Sequence, residues 1–164
     1  MRVAFALMLL GGGLAQTSVA PVLRIGGVTP DIPLILTVLL GLRRGPEVGC
    51  LSGFAVGFLQ DVAAGGFVGA QALTKALVGF ASGMIGERLW VSSPLVQVPG
   101  LVLLTLVEGL SRYWLLQLFH FPAPFGDLML HVVLPQALYN GFLGAATVLA
   151  LTVVESWRGS ALWR

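Results

Sequence analysis

Residues 45–69 read GPEVGCLSGFAVGFLQDVAAGGFVG, and this stretch decides how the chain folds. Glycine stands at positions 45, 49, 53 and 57, a lone aspartate follows at 61, and glycine returns at 65 and 69. A spacing of four keeps residues on one slowly turning stripe of a helix. Each glycine costs roughly 1 kcal/mol against alanine in a helix interior, so repetition in one register implies a return from packing. In lipid that return is close backbone contact. Acyl chains are as apolar as leucine, and small-xxx-small stripes mark the faces where membrane helices touch. Gly49, Gly53 and Gly57 are therefore expected to form the contact face of the third helix. Lys75, Gly79 and Gly83 repeat the spacing on the fourth, ahead of Glu87. The pair reads as a tight hairpin turned by AAGG at 63–66.

The rest of the chain asks for the same solvent. Of its 164 residues 57% are hydrophobic and 10% charged, and the mean hydropathy is +0.94. A soluble domain carries about 25% charged residues. A membrane span takes roughly 20 apolar residues, so the chain holds about six and leaves no room for a separate soluble domain. The expected fold is an all-α integral membrane protein, a compact six-helix bundle forming one domain over residues 1–164. Its spans fall near 3–23, 27–42, 46–63, 67–86, 95–118 and 128–154. The last is longer than a bilayer requires. It reads as a tilted span, or as an interfacial segment up to Pro135 followed by the span proper. Arg2, the run VAFALMLLGGGLA and the small-x-small SVA at 18–20 also fit a cleavable signal peptide. A retained first helix is the preferred reading, and neither alternative changes the orientation of the other five spans.

Arginine and lysine set that orientation. Arg2, Arg43, Arg44, Arg88, Arg158 and Arg164 fall on one side of six spans, and Arg24 falls on the other. Both termini are thus expected in the cytoplasm. The net charge of +2 comes from basic residues dispersed along the chain, which form no nucleic-acid-binding patch. Cys50 lies in an apolar run, where a lone thiol behaves as a small hydrophobe.

Asp31, Asp61, Lys75, Glu108 and Arg112 lie in or near the spans. A charge at a span centre costs about 2.5–3.5 kcal/mol, so such groups pair, reach the interface or serve a function. Glu108 and Arg112, four apart, are expected to neutralise each other. Asp61 and Lys75 are expected to clasp the hairpin, with ion or substrate binding as the functional alternative. Asp31 follows Pro30 and is expected to cap the second helix, with a partner contact as its alternative. Asn140, in LPQALYNGFLG, is expected to hydrogen-bond between helices, since an unpaired amide in hydrocarbon is costly. His120 and His131 read as interfacial.

No catalytic pattern stands out. His131 is followed by VVLP, so no HExxH zinc-protease motif exists. Ser52 and Ser82 sit in GxxSG rather than GxSG contexts, which makes a Ser52–His131 nucleophile pair the weakest reading. The expectation is a protein with no enzyme activity, no cofactor and no metal site.

One resemblance runs through residues 29–89, TPDIPLILTVLLGLRRGPEVGCLSGFAVGFLQDVAAGGFVGAQALTKALVGFASGMIGERL. Pro30–Asp31 open an early span and Arg43 to Pro46 make a basic turn. Gly53–Phe54, Gly57 and Asp61 follow in a G-F-x-x-G-x-x-x-D run, then Gly65, Gly69 and the stretch from Leu77 to Gly83. In that order these features resemble the MreD family of rod shape-determining proteins. LPQALYN resembles the family less specifically, and Lys75 departs from its pattern. The resemblance implies a non-enzymatic scaffold subunit of the bacterial inner membrane, part of the elongation machinery and its peptidoglycan synthesis. It implies an MreC-like membrane-anchored partner and, through it, RodA, a class B penicillin-binding protein and MreB, with membrane lipids around it and no nucleic acid. It also implies a fold similar to the substrate-binding subunits of energy-coupling-factor vitamin transporters. A vitamin-binding transporter subunit is accordingly the alternative reading, although Gln60, Gln71, Thr74 and Asn140 are few polar groups for such a pocket. A small-solute channel or exporter component using Asp61, Lys75, Glu108 and Arg112 is the third.

Overall fold

A computed structural model describes residues 11–13, 15–65, 68–89, 94–120 and 124–158. The first helix, α1, is helical at 11–13 and 15–18, and a loop with one isolated bridge between Ile25 and Val28 follows. Then come α2 (Ile32–Arg44), α3 (Pro46–Ala64), α4 (Ala70–Leu89) and α5 (Pro94–Leu118). A last rod starts as α6 (Phe125–Leu128), passes through a π-helical turn at Met129–Val133 and continues as α7 (Leu134–Arg158). No strand occurs among the described residues. The protein is an all-α bundle.

Local chemistry sets these boundaries. Asp31 occupies the N-cap of α2 and accepts from the Leu34 N–H, while proline stands in the first turn. Gly45 closes α2 at φ +91, a conformation that L side chains rarely adopt, and Pro46 at once opens α3. Gly65, left-handed at φ +63, ends α3. The second helix starts at Ile32 rather than 27, because Pro30 disfavours a helical residue before it. The fourth starts at Ala70 rather than 67, after Gly69 at φ +108. The first gives way to a turn at 19–20, just before Pro21, rather than running to 23. Residues 3–10 of that expected span, with Arg2 and Arg164, lie outside the described residues. The last rod is not divided at Pro135. The Leu134 N–H donates to the Met129 carbonyl five residues back, and this wider turn sits where a proline ring would crowd the carbonyl four residues before it.

α2, α3 and α4 form one tightly packed group, and α5 and α7 pack together beside it. Their shared apolar core includes Leu34, Ile35, Val38, Val78, Leu101, Leu104 and Val148. α3 and α4 meet backbone to backbone. A Cβ built on Gly49 would strike the Gly79 carbonyl, and one built on Gly79 would strike that of Gly49. Gly53 faces the Lys75 carbonyl, Gly57 that of Gln71, and Gly83 the backbone of Pro46. All five would place a Cβ closer than 3.0 Å to backbone atoms, a separation that real side chains do not show. Ser52 and Ser82 lie beside the seam, each donating its hydroxyl to the carbonyl three residues back, Gly49 and Gly79 respectively.

Large apolar side chains point outward instead, among them Leu51, Phe54 and Phe58 on α3, Leu77 and Phe80 on α4, and Trp114 on α5. Among the described residues two helices, Gln97–Leu118 and Phe125–Val154, are long and apolar enough to cross a membrane, and only 28% of each window is buried within the bundle. A core helix of a soluble protein would be mostly covered. Apolar surface outside and charge inside define a protein that folds in lipid.

Candidate functional site

Acidic and basic side chains meet at the centre of the bundle. Lys75, on α4, has a fully buried side chain, and its Nζ lies 2.7 Å from Asp31 Oδ2 and 3.5 Å from Glu108 Oε1. The two carboxylates are themselves 4% and 1% exposed. Further hydrogen bonds surround them. Lys75 Nζ donates to Gln71 Oε1 at 3.2 Å, the Thr74 hydroxyl donates to Glu108 at 3.2 Å, and Gln60 Nε2 donates to Asp31 Oδ1 at 3.3 Å. Asn140, fully buried on α7, accepts from the Asp31 backbone N–H at 2.8 Å and donates to Thr105 on α5 at 3.5 Å. One cluster thereby ties α2, α3, α4, α5 and α7 together. The geometry answers a strict requirement, since a charge without a partner in a low-dielectric interior costs several kcal/mol.

This arrangement corrects two expectations. Asp61 does not clasp Lys75. It reaches across the hairpin turn and accepts from the backbone N–H groups of Gly69 at 2.8 Å, Gln71 at 3.1 Å and Ala72 at 3.1 Å. The first N–H groups of a helix lack intrahelical partners and carry its positive end, so a carboxylate from the neighbouring helix satisfies them. Glu108 does not pair with Arg112 either. Its charge partner is Lys75, drawn in from another helix, and Arg112 forms no hydrogen bond or ion pair among the described residues. Asp31 caps α2 and also holds Lys75, a double role that capping alone does not foretell.

Above the cluster lies an open cavity of about 390 Å³. Its wall includes Asp31, Gln60, Gln71, Arg112, Gln16 and Gln136. Two of these glutamines serve the non-helical segment before α2. Gln16 donates to the Pro30 carbonyl at 3.2 Å and accepts from the Ile32 N–H at 3.0 Å, and Gln136 donates to the Thr29 carbonyl at 3.0 Å. Irregular backbone inside a membrane bundle is tolerated where it lines a cavity and protein groups satisfy it. Gln16 and Gln136 escaped the sequence reading. The signal available was an amide in each of two apolar helices, which must find a partner when buried.

The catalytic alternative finds no geometric support. Ser52 is buried in the glycine seam, while His131 is exposed on the π-turn with its ring 3.8 Å from Asp127. Among the described residues no group of three His, Cys, Asp or Glu side chains could hold a metal ion.

Helices coated with apolar side chains around a buried charge cluster make this an all-α membrane protein whose polar groups serve the interior. Comparison with family models makes the class specific. The model of the rod shape-determining protein MreD matches residues 2–155 of the chain. The chain belongs to that family, and its role lies in determining rod shape as a component of the MreBCD shape complex. Comparison with curated proteins and with solved structures gives no match.

Proposed function

We propose that the chain is a non-enzymatic scaffold in the bacterial cytoplasmic membrane, crossing it several times with both termini in the cytoplasm. It binds an MreC-like membrane-anchored protein and through it organises RodA, a class B penicillin-binding protein and MreB for peptidoglycan synthesis. Family membership over residues 2–155 carries this reading. The distribution of residue types supports it. The small-residue seam between α3 and α4 is used internally, so a partner's helix docking on α3 or α4 meets large side chains. α3 offers such a stripe in Leu51, Phe54, Phe58 and Val62, with the rings of Phe54 and Phe58 stacked at a centroid distance of 6.3 Å. Leu73, Leu77 and Phe80 on α4 are exposed as well. A single membrane helix lying on this face would gain van der Waals contact, the main attraction available between helices in lipid.

Affinity purification from native membranes tests the proposal. An MreC-like protein is expected to accompany the wild type and to be lost from the Phe54→Ala/Phe58→Ala variant, which keeps the wild-type melting temperature. Recovery of a coupling ATPase in place of an MreC-like protein would transfer the chain to the vitamin-transporter reading.

A further inference from the structure

We propose that the cavity above the charge cluster is a binding site for a small zwitterion, a molecule carrying an oxyanion and a protonated amine. The structure leaves a matched set of unused groups around it. Gln60 donates its Nε2 to Asp31, while its Oε1 is buried without any partner, in a side chain about nine-tenths buried. Gln71 accepts from Lys75 through Oε1, which leaves the Nε2 donor. Gln136 donates its Nε2 to Thr29, which leaves the Oε1 acceptor. A buried amide oxygen with no donor costs about 1–3 kcal/mol, so the Gln60 side chain gains by turning toward a donor. Gln60, Gln71, Gln136 and Arg112 all line this one cavity.

Charge sets the class of molecule. The Asp31 carboxylate lies on the cavity wall beside Gln60, while Glu108 and Lys75 stand behind it. Arg112 supplies a positive charge on the cavity wall and presents planar donors suited to a carboxylate or phosphate. An ammonium group fits beside Gln60 and the carboxylate cluster, and an oxyanion fits Arg112. A simple anion would meet the Asp31 carboxylate, and a simple cation would leave Arg112 unmatched. The volume of about 390 Å³ falls in the range of small-molecule sites. An amino acid or an ethanolamine phosphate group satisfies this chemistry, and the second exists both free and as a lipid headgroup. The site rests on the chain's own residues, so its failure would leave the scaffold proposal standing.

The test uses full-length protein in nanodiscs, with Cys50→Ala and with Ala64→Cys on the cavity wall as a thiol reporter. The rate of maleimide labelling is measured with L-alanine, with free phosphoethanolamine, and with phosphatidylethanolamine or phosphatidylglycerol as the nanodisc lipid. Saturable slowing by a zwitterionic probe supports the site. Slowing by a soluble probe assigns it to free molecules, and slowing by phosphatidylethanolamine alone assigns it to a headgroup. Arg112→Gln should weaken the protection roughly 10- to 100-fold, and Arg112→Lys should keep part of it, with unliganded melting temperatures confirming that both variants fold. Labelling indifferent to every probe overturns the proposal. So does equal protection by phosphatidylglycerol, or protection that survives Arg112→Gln in a folded variant.

Discussion

Replacing Lys75 with methionine keeps most of the side-chain volume and removes the ammonium that two buried carboxylates share. Asp31 would lose its contact at 2.7 Å and Glu108 its contact at 3.5 Å, with both side chains at most 4% exposed. Stranding one buried partner of an ion pair costs about 3–5 kcal/mol, so Lys75→Met alone should destabilise the bundle by that order. The second substitution is the diagnostic one. Asp31→Asn keeps a capping oxygen for the Leu34 N–H and removes one stranded charge. In the Lys75→Met background it should therefore restore about 1–3 kcal/mol, the usual size of coupling between contacting residues. Asp61→Asn in the same background should restore nothing, because the Asp61 charge is satisfied by three backbone N–H groups at the start of α4. Equilibrium unfolding in mixed micelles with increasing fractions of SDS, followed by circular dichroism, measures all of these. A Lys75→Met variant within about 0.5 kcal/mol of wild type, the usual limit for a surface substitution, would refute the cluster. Rescue by Asp61→Asn in place of Asp31→Asn would do the same.

Two other predictions concern single ties. Asp61→Ala removes the acceptor that three N–H groups share, and loss of a helix cap costs about 0.5–2 kcal/mol; hydrogen exchange should rise at Gly69, Gln71 and Ala72 ahead of the rest of α4. Asn140→Leu leaves the Asp31 N–H without its acceptor, which should cost about 1–3 kcal/mol in the same micelle assay, and a neutral result would remove α7 from the polar cluster.

Part of this architecture is visible in one sequence because it is periodic or local. Glycine every fourth residue from 45 to 57, echoed at 79 and 83, points to a hairpin seam, and the composition points to lipid. Pro30–Asp31 marks the start of α2 on local grounds. The charge partners were not legible for a different reason. Asp61 and Lys75 are neighbours along one hairpin, and Glu108 and Arg112 are neighbours along one helix, so proximity in sequence favoured those pairs. The observed contacts join α2 to α4 and α4 to α5, and they depend on which helices adjoin, which no local pattern states. The π-turn before Pro135 was hidden likewise, since a proline early in a helix can be met by a break or by a wider turn. The cavity arises only where Gln16, Gln60, Gln71 and Gln136 converge from four helices.

α3 touches protein with its hydrogen-only positions and turns its rings outward. Two adjacent residues test it in one assay. Gly53→Ala adds a single methyl against the Lys75 carbonyl and should cost about 1–3 kcal/mol by overpacking, despite alanine's better helix propensity. Phe54→Ala removes a whole ring from the outward face and should leave the unfolding midpoint in micelles unchanged. The reverse order, with Phe54→Ala damaging and Gly53→Ala silent, would mean that α3 faces the other way.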